Sequence, residues 1–280
     1  MAPTPRPAPP PPQDPPPRRP RPLPRRLAGG LLGVSRVALR LGAMVWVTLA
    51  CWAVLELGAL AAGRRRRHAW GSRVFRVWSR LLGGILGQRV EVSGRPPAAP
   101  YLLVSNHLSY VDVLLLGAAA GGTFVAKREI GSWPVIGQLC RAIGTVFIDR
   151  GAKRDLVRVA REVEGALAEG KGVVVFPEGT TGDGSALLPF KPALLEVAAA
   201  AERPVAWAVI RYQTPPGAPP AAEAVCWTGG QRLVPHALRL LTLPGFRAHV
   251  HFAAEPVADP DRKRLAHRLR EAMAAKLAEG

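Results

Sequence analysis

Leu41–Ala62 is a run of 22 residues broken by one charge, Glu56, and four arginines, Arg64 to Arg67, follow almost at once. A run of that length can cross the roughly 30 Å hydrocarbon layer of a bilayer. The chain is therefore not read as a plain water-soluble globule, and the run divides it. Residues 1–26 hold thirteen prolines between Pro3 and Pro24 and six arginines, a composition that buries no apolar surface and is expected to be disordered. Residues 27–68 are expected to be a membrane anchor, and 69–280 one folded domain. A cleavable signal peptide is the competing reading, because Ala59-Leu60-Ala61 has the small-residue spacing of a cleavage site. Against it, the apolar region is too long, starts too far into the chain and is followed by arginines. Arginines on both flanks give no vote on orientation. The anchor is a single crossing or a re-entrant, interfacial helical hairpin built from 27–40 and 41–62. The hairpin would keep Glu56 near the interface, where a carboxylate is less costly than at mid-bilayer.

The chain carries a formal charge of +18, and ten of those charges fall within residues 1–70. Basic side chains beside an apolar run suit anionic lipid. A nucleic-acid partner would call for a recognition motif or interleaved aromatics, and the sequence has neither. Cys51, Cys140 and Cys226 lie far apart with no paired spacing, which argues against a disulfide framework or a zinc site.

Residues 70–86 place Trp70, Val74, Phe75, Trp78 and Leu82 against Arg73, Arg76 and Arg80, the pattern of an amphipathic helix on a membrane surface or on the domain that follows. Beyond it, strands are expected at Arg89–Ser93, Tyr101–Ser105, Thr123–Ala126, Gly144–Ile148, Gly172–Phe176, Pro204–Ile210, Glu223–Trp227 and Arg247–Phe252. Helices are expected from about Leu108, over Arg154–Glu169 and over Arg262–Leu277. The alternation predicts an α/β fold, a mixed central sheet flanked by helices, behind an N-terminal membrane-anchoring helical segment.

Three short segments carry chemistry. In Asn106-His-Leu-Ser-Tyr-Val-Asp112, His107 and Asp112 lie at a strand-to-helix junction. An aspartate five residues on can accept a hydrogen bond from one imidazole nitrogen and leave the other to act as a base. In Phe176-Pro-Glu-Gly-Thr-Thr181, a buried strand stops and a turn presents Glu178, Gly179 and Thr180, suited to a phosphate or polar headgroup. Glu178 is expected to bond a glycerol oxygen or to orient an arginine. In Gly144-Thr-Val-Phe-Ile-Asp-Arg150, Arg150 can grip phosphate with Asp149 holding it. Ser105 and Ser109 lack a nucleophile-elbow sequence, so an acyl-serine intermediate is not expected. His249 and His251 share a strand face without a third ligand, which favours packing or surface roles over metal.

Taken in order, NHxxxxD, GxxFIDR, FPEGT and an apolar strand opening at Pro204-Val205 resemble the four blocks of the glycerolipid acyltransferase family, over roughly residues 70–275. The resemblance implies His107 as general base and Asp112 as its orienter. It implies Arg150, Glu178 and Gly179 at the acceptor headgroup, with Lys127 as a further cation there and Thr180 in the same turn. Pro204 and Val205 would serve the acyl side. The donor would be acyl-CoA or acyl carrier protein, with no cofactor and no metal. Thr180-Thr-Gly-Asp-Gly-Ser and Cys226-Trp-Thr-Gly-Gly230 look like the bacterial branch that holds both lysophosphatidate and lyso-ornithine-lipid acyltransferases. The expectation leans to 1-acyl-glycerol-3-phosphate as acceptor, giving phosphatidate, with lyso-ornithine lipid as the alternative. Such an enzyme would sit at the inner membrane with its domain facing the cytoplasm, among membrane lipids and a lysophospholipid acceptor. A thioester hydrolase and a non-catalytic lipid-binding protein are the rival readings.

Overall fold

The computed structural model describes residues 30–61, 64–134, 136–149, 155–228 and 230–279. The expected tail at 1–26 and the site candidate Arg150 lie outside the described residues.

Helix α1 (Gly30–Ala61) is followed by α2 (Arg64–Leu86). Of the two anchor arrangements, the hairpin requires a break between 27–40 and 41–62; over the described residues α1 runs unbroken from Gly30 to Ala61, in segments that contain no proline and are rich in helix formers. The helical pair is α1 with α2 instead. Val37, Met44, Val47, Cys51 and Leu55 recur at spacings of seven, three, four and four residues, so they form one stripe of α1 that packs inward. Trp70 Nε1 donates to the Val54 carbonyl at 3.2 Å, and Trp78 Nε1 to Thr48 Oγ1 at 3.1 Å. Arg40 reaches the carbonyls of Leu241 and Leu243 at 2.9 and 2.6 Å, tying the same helix to the far end of the chain. Among the described residues, one stretch, Gly33–Gly58, is long and apolar enough to cross a membrane.

The domain that follows alternates β1 (Gln88–Ser93), β2 (Tyr101–Ser105), α3 (Val111–Ala119), β3 (Thr123–Lys127), α4 (Ile136–Ala142), β4 (Val146–Ile148), α5 (Asp155–Ala168) and β5 (Gly172–Val175). It continues with α6 (Glu196–Ala200), β6 (Val205–Gln213), α7 (Ala221–Ala224), α8 (Leu233–Thr242), β7 (Phe246–Phe252) and α9 (Arg262–Ala278). The strands form a seven-stranded sheet in the order β1-β7-β6-β2-β5-β3-β4. All neighbours are parallel except β6 and β7, so the sheet is mixed as expected. Strands β2 and β5 are buried along their whole length, which is why they read as unbroken apolar runs. Their alternate residues face two cores. Leu103 and Val174 look toward α1, α2, α3 and α8. Leu102, Val104, Val173 and Val175 look toward α5, α6 and α9.

Glu223–Trp227 is not a strand. Pro220, with φ −53°, opens a turn of helix over Ala221–Ala224, and alanine favours helix over strand. Ala224, Val225 and Cys226 are buried in succession, which a half-buried strand would not allow. Helix α3 begins at Val111 rather than Leu108, and the intervening turn belongs to the site.

Candidate active site

Val104 pairs with Val175 in parallel register, so β2 and β5 end side by side and their following loops leave the same sheet edge. Ligands of open α/β sheets bind outside the carboxyl ends of parallel strands. Here that edge brings 106–110 and 176–182 together. Gly182 N donates to the His107 carbonyl at 2.8 Å, and the His107 N–H donates to Glu178 Oε1 at 3.0 Å. Both peptide groups of His107 are therefore held by the second motif.

His107 Nδ1 lies 2.7 Å from Asp112 Oδ2. The same oxygen accepts the N–H groups of Leu108 (2.7 Å) and Ser109 (3.0 Å), which curls the chain into the turn before α3. Asp112 is fully buried, and an ionised carboxylate accepts only. Nδ1 therefore carries the imidazole proton and Nε2 keeps its lone pair. The ring stacks on Phe176, with centroids 4.0 Å apart and planes 12° apart, and the side chain is 18% exposed. The arrangement leaves Nε2 as the free edge of an oriented imidazole.

Glu178 departs from its expected place at the headgroup. It is 3% exposed, and its second oxygen accepts from Leu188 N at 3.1 Å. Both oxygens thus serve backbone donors, and the side chain ties the His107 turn to the 185–191 loop. Burial pushes its carboxyl above the ordinary value, against the pull of these two hydrogen bonds. Gly179 takes φ +66°, and a Cβ there would lie 2.7 Å from Lys191 Nζ, so Lys191 drapes across the glycine. Thr180 is exposed, whereas Thr181 donates its hydroxyl to the Trp227 carbonyl. Lys127 is exposed at the end of β3, two strands from β2 and on the same sheet edge. Asp149 pairs with Arg128 at 3.5 Å, and its N–H is held by Asp155 at 2.6 Å. Ser105 and Ser109 are fully buried, so neither presents a nucleophile.

Pro204 and Val205 are far from this edge. Val205 pairs with Leu102 near the start of β2, so it is the other end of β6 that reaches the site. There, three residues to which the sequence assigned no role, Asn106 of the first motif with Tyr212 and His236 outside the motifs, complete the frame. Asn106, one residue past β2, exchanges hydrogen bonds with Ile210: Nδ2 donates to its carbonyl at 3.0 Å and Oδ1 accepts its N–H at 2.7 Å. Tyr212 donates its hydroxyl to Asp112 Oδ1 at 2.6 Å. His236, fully buried, faces the Cys226 carbonyl through Nε2 at 3.1 Å, so Nδ1 accepts from the Tyr110 hydroxyl at 3.2 Å. Trp227 N donates to the Leu108 carbonyl at 2.8 Å, which straps the 226–228 segment to the same turn. His249 and His251 lie on β7, bonded to Glu91 and Ser93 of β1, away from the site.

Residues 89–211 match the family model described as Acyltransferase. A lyso-ornithine lipid O-acyltransferase of Brucella abortus is 32% identical over 261 residues, 88% of this chain and 96% of that protein. A protein of the same name from Pseudomonas aeruginosa is 35% identical over 246 residues, 87% of this chain and 89% of that one. The 1-acyl-sn-glycerol-3-phosphate acyltransferase of Neisseria meningitidis is 34% identical over 192 residues, 66% and 74% of the two chains. The crystal structure of the 1-acyl-sn-glycerophosphate acyltransferase PlsC of Thermotoga maritima shares the fold, with a TM-score of 0.67 over 89% of this chain and 94% of that one at 20% identity. With its motif turns interlocked at one sheet edge and relatives matched along nearly their whole length, the chain belongs to the acyltransferase family.

Proposed function

We propose that the protein transfers a fatty acyl group from a thioester, acyl-CoA or acyl carrier protein, to the hydroxyl of a lysolipid at the membrane surface. The observation that carries this reading is the 2.7 Å bond from His107 Nδ1 to the buried Asp112, which leaves Nε2 as a partly exposed base. The acceptor hydroxyl gives its proton to Nε2 as its oxygen attacks the thioester carbonyl. The tetrahedral intermediate then collapses, the C–S bond breaks, and the imidazolium returns the proton to the departing thiolate. The products are an ester and a free thiol, and no enzyme nucleophile is required. The Gly179-Thr180 turn, Lys127 and Arg150 are assigned to the acceptor headgroup, whereas Glu178 supports the turn from beneath.

For the acceptor we favour a lyso-ornithine lipid. The chain spans 96% of the Brucella protein of that name and 74% of the Neisseria lysophosphatidate enzyme. The loop that follows the second motif supports the same choice, because it exposes both a carboxylate, Asp183, and a cation, Lys191, and mixed charge suits a zwitterion better than a phosphate. Lysophosphatidate is the second reading, supported by the 34% identity to the Neisseria enzyme.

Detergent-purified protein with acyl-CoA or acyl carrier protein, and with each acceptor in turn, tests the whole reading. Free thiol that appears only with acceptor supports transfer. Thiol released without acceptor would make the protein a hydrolase, and silence with both donors would make it a binding protein. His107→Ala is expected to lower turnover by at least about a thousandfold, within the range for losing a positioned base, with an unchanged melting temperature. Near-normal turnover in that variant would remove the general-base role.

A further inference from the structure

The mechanism above uses one oxygen of Asp112. Oδ2 takes three N–H groups, from His107, Leu108 and Ser109. Oδ1 faces Tyr212, whose hydroxyl sits 2.6 Å away on a strand 100 residues later in the chain. Tyr212 is 8% exposed and its ring is set edge-on against Phe246, with centroids 5.7 Å apart, so the phenol cannot swing away. Burial, reinforced by the neighbouring Asp112 charge, holds the phenol proton well past its ordinary range. The hydroxyl therefore stays a donor throughout the pH range of the reaction.

We propose that Tyr212 is a positioning residue for acyl transfer: by fixing Oδ1 it locks the Asp112 carboxylate plane, so that Oδ2 faces His107 Nδ1. The inference rests on the base reading of His107. Two consequences follow. A carboxylate gripped on both oxygens cannot rotate about its Cβ–Cγ bond and exchange the atom that orients the imidazole. Its negative charge is also shared with a fourth donor, so the Nδ1 proton remains on the imidazolium as Nε2 takes up and returns the acceptor's proton. Tyr212 touches no reacting atom and acts through Asp112. Strand β6 thus contributes to the site at its carboxyl end, through Ile210 holding Asn106 and Tyr212 holding Asp112.

The test is kinetic. Tyr212→Phe keeps the ring and its packing on Phe246 but leaves Oδ1 buried without a donor. It is expected to lower kcat by about ten- to a hundredfold, the worth of a hydrogen bond to a charged group, with KM for donor and acceptor moved by less than about twofold. In an Asp112→Asn background the same substitution should cost nothing further, because coupled residues are non-additive. Replacement of Tyr212 by 3-fluorotyrosine, which retains the hydroxyl, should restore most of kcat. A folded Tyr212→Phe protein with wild-type kcat would overturn the proposal. So would losses that multiply in the double variant, or a Phe variant that fails to fold, which would assign the hydroxyl to stability. If the wild-type protein shows no transfer, or His107→Ala keeps it, the general-base reading fails first, and the arms separate the two failures.

Discussion

Asn106 shows how a single side chain can do the work of a backbone. Strand β2 ends at Ser105, yet β6 continues, and its Ile210 peptide would be left without partners at the sheet's edge. The Asn106 amide supplies one donor and one acceptor to that peptide, acting as a strand residue that has been turned on its side. Ile210 is 1% exposed, so no solvent replaces the lost groups. Asn106→Ala is expected to destabilise the fold by roughly 2–4 kcal/mol, the cost of two buried backbone groups left unpaired. A urea titration with unchanged slope would register it as a lower midpoint, and a loss below about 0.5 kcal/mol would show that Ile210 finds other partners. At this scale the sequence was readable in part. His107 and Asp112 lie five residues apart and announce themselves by local spacing. Glu178, Asn106 and Tyr212 take their roles from partners 71 to 104 residues away, and nothing in a short motif tells which carboxylate faces a ligand and which faces a backbone. Glu178 is therefore assigned to the headgroup by its place in the FPEGT block, while its partners are backbone groups that the block does not contain. Tyr212 lies beyond the strand expected at Pro204–Ile210 and in none of the motifs.

Among elements, the buried strands were the most legible, because parallel strands covered on both faces leave unmistakable runs such as Leu102–Val104 and Val173–Val175. The short helices were not. Helix α8 carries Pro235 in its first turn, where the missing N–H is harmless, and no helix was expected there. Helix α7 is a single turn set by Pro220, within a segment whose apolar residues imitate a strand. Helix α5 offers a prediction of its own. Its first residue, Asp155, accepts from Arg158 Nε at 2.7 Å and from the Asp149 N–H at 2.6 Å, fastening the end of β4 to the start of the helix. Those bonds, the Arg158 one foremost, hold its carboxyl at about 2, below the ordinary 3.8. A depressed carboxyl contributes stability in full above the unfolded value and loses it as pH falls through the folded one. The fastening should therefore be complete above pH 3.8 and fade toward pH 2. Asp155→Asn should lower the melting temperature near neutral pH and flatten its fall across that acid window. Parallel melting curves for the two proteins that kept a constant separation down to pH 2 would show that Asp155 adds nothing pH-dependent.

For the molecule as a whole, the proposed function requires α1 to meet a bilayer, and its two faces differ. One face carries the inward stripe from Val37 to Leu55, laid along α2 and pinned at Arg40 to the end of α8. The other carries Val34, Leu39, Val45, Trp46, Leu57 and Leu60, all more than half exposed. To cross a bilayer alone, α1 would have to leave the stripe and expose Phe75, Trp78 and Leu82 of α2, which are buried beneath it in the same core. Carrying α2 along would bring Arg76 and Arg80 with it, and their guanidinium groups donate to the Ala120 and Ala118 carbonyls at the end of α3. Either route costs far more than a bilayer surface asks. We therefore expect α1 to lie in the interface with its outward face submerged, flanked by the arginines of α2. The two arrangements place Trp46, near the middle of Gly33–Gly58, at different depths. A crossing helix would put it close to the bilayer centre, about 15 Å down, whereas an interfacial helix buries its apolar face by about 5–10 Å. A nitroxide attached after Trp46→Cys, read by oxygen and nickel accessibility in anionic vesicles, reports that depth. A shallow value supports the interfacial helix. A value at the midplane would mean that α1 abandons its stripe, and the packing described for α1 against α2 would then hold only away from the membrane.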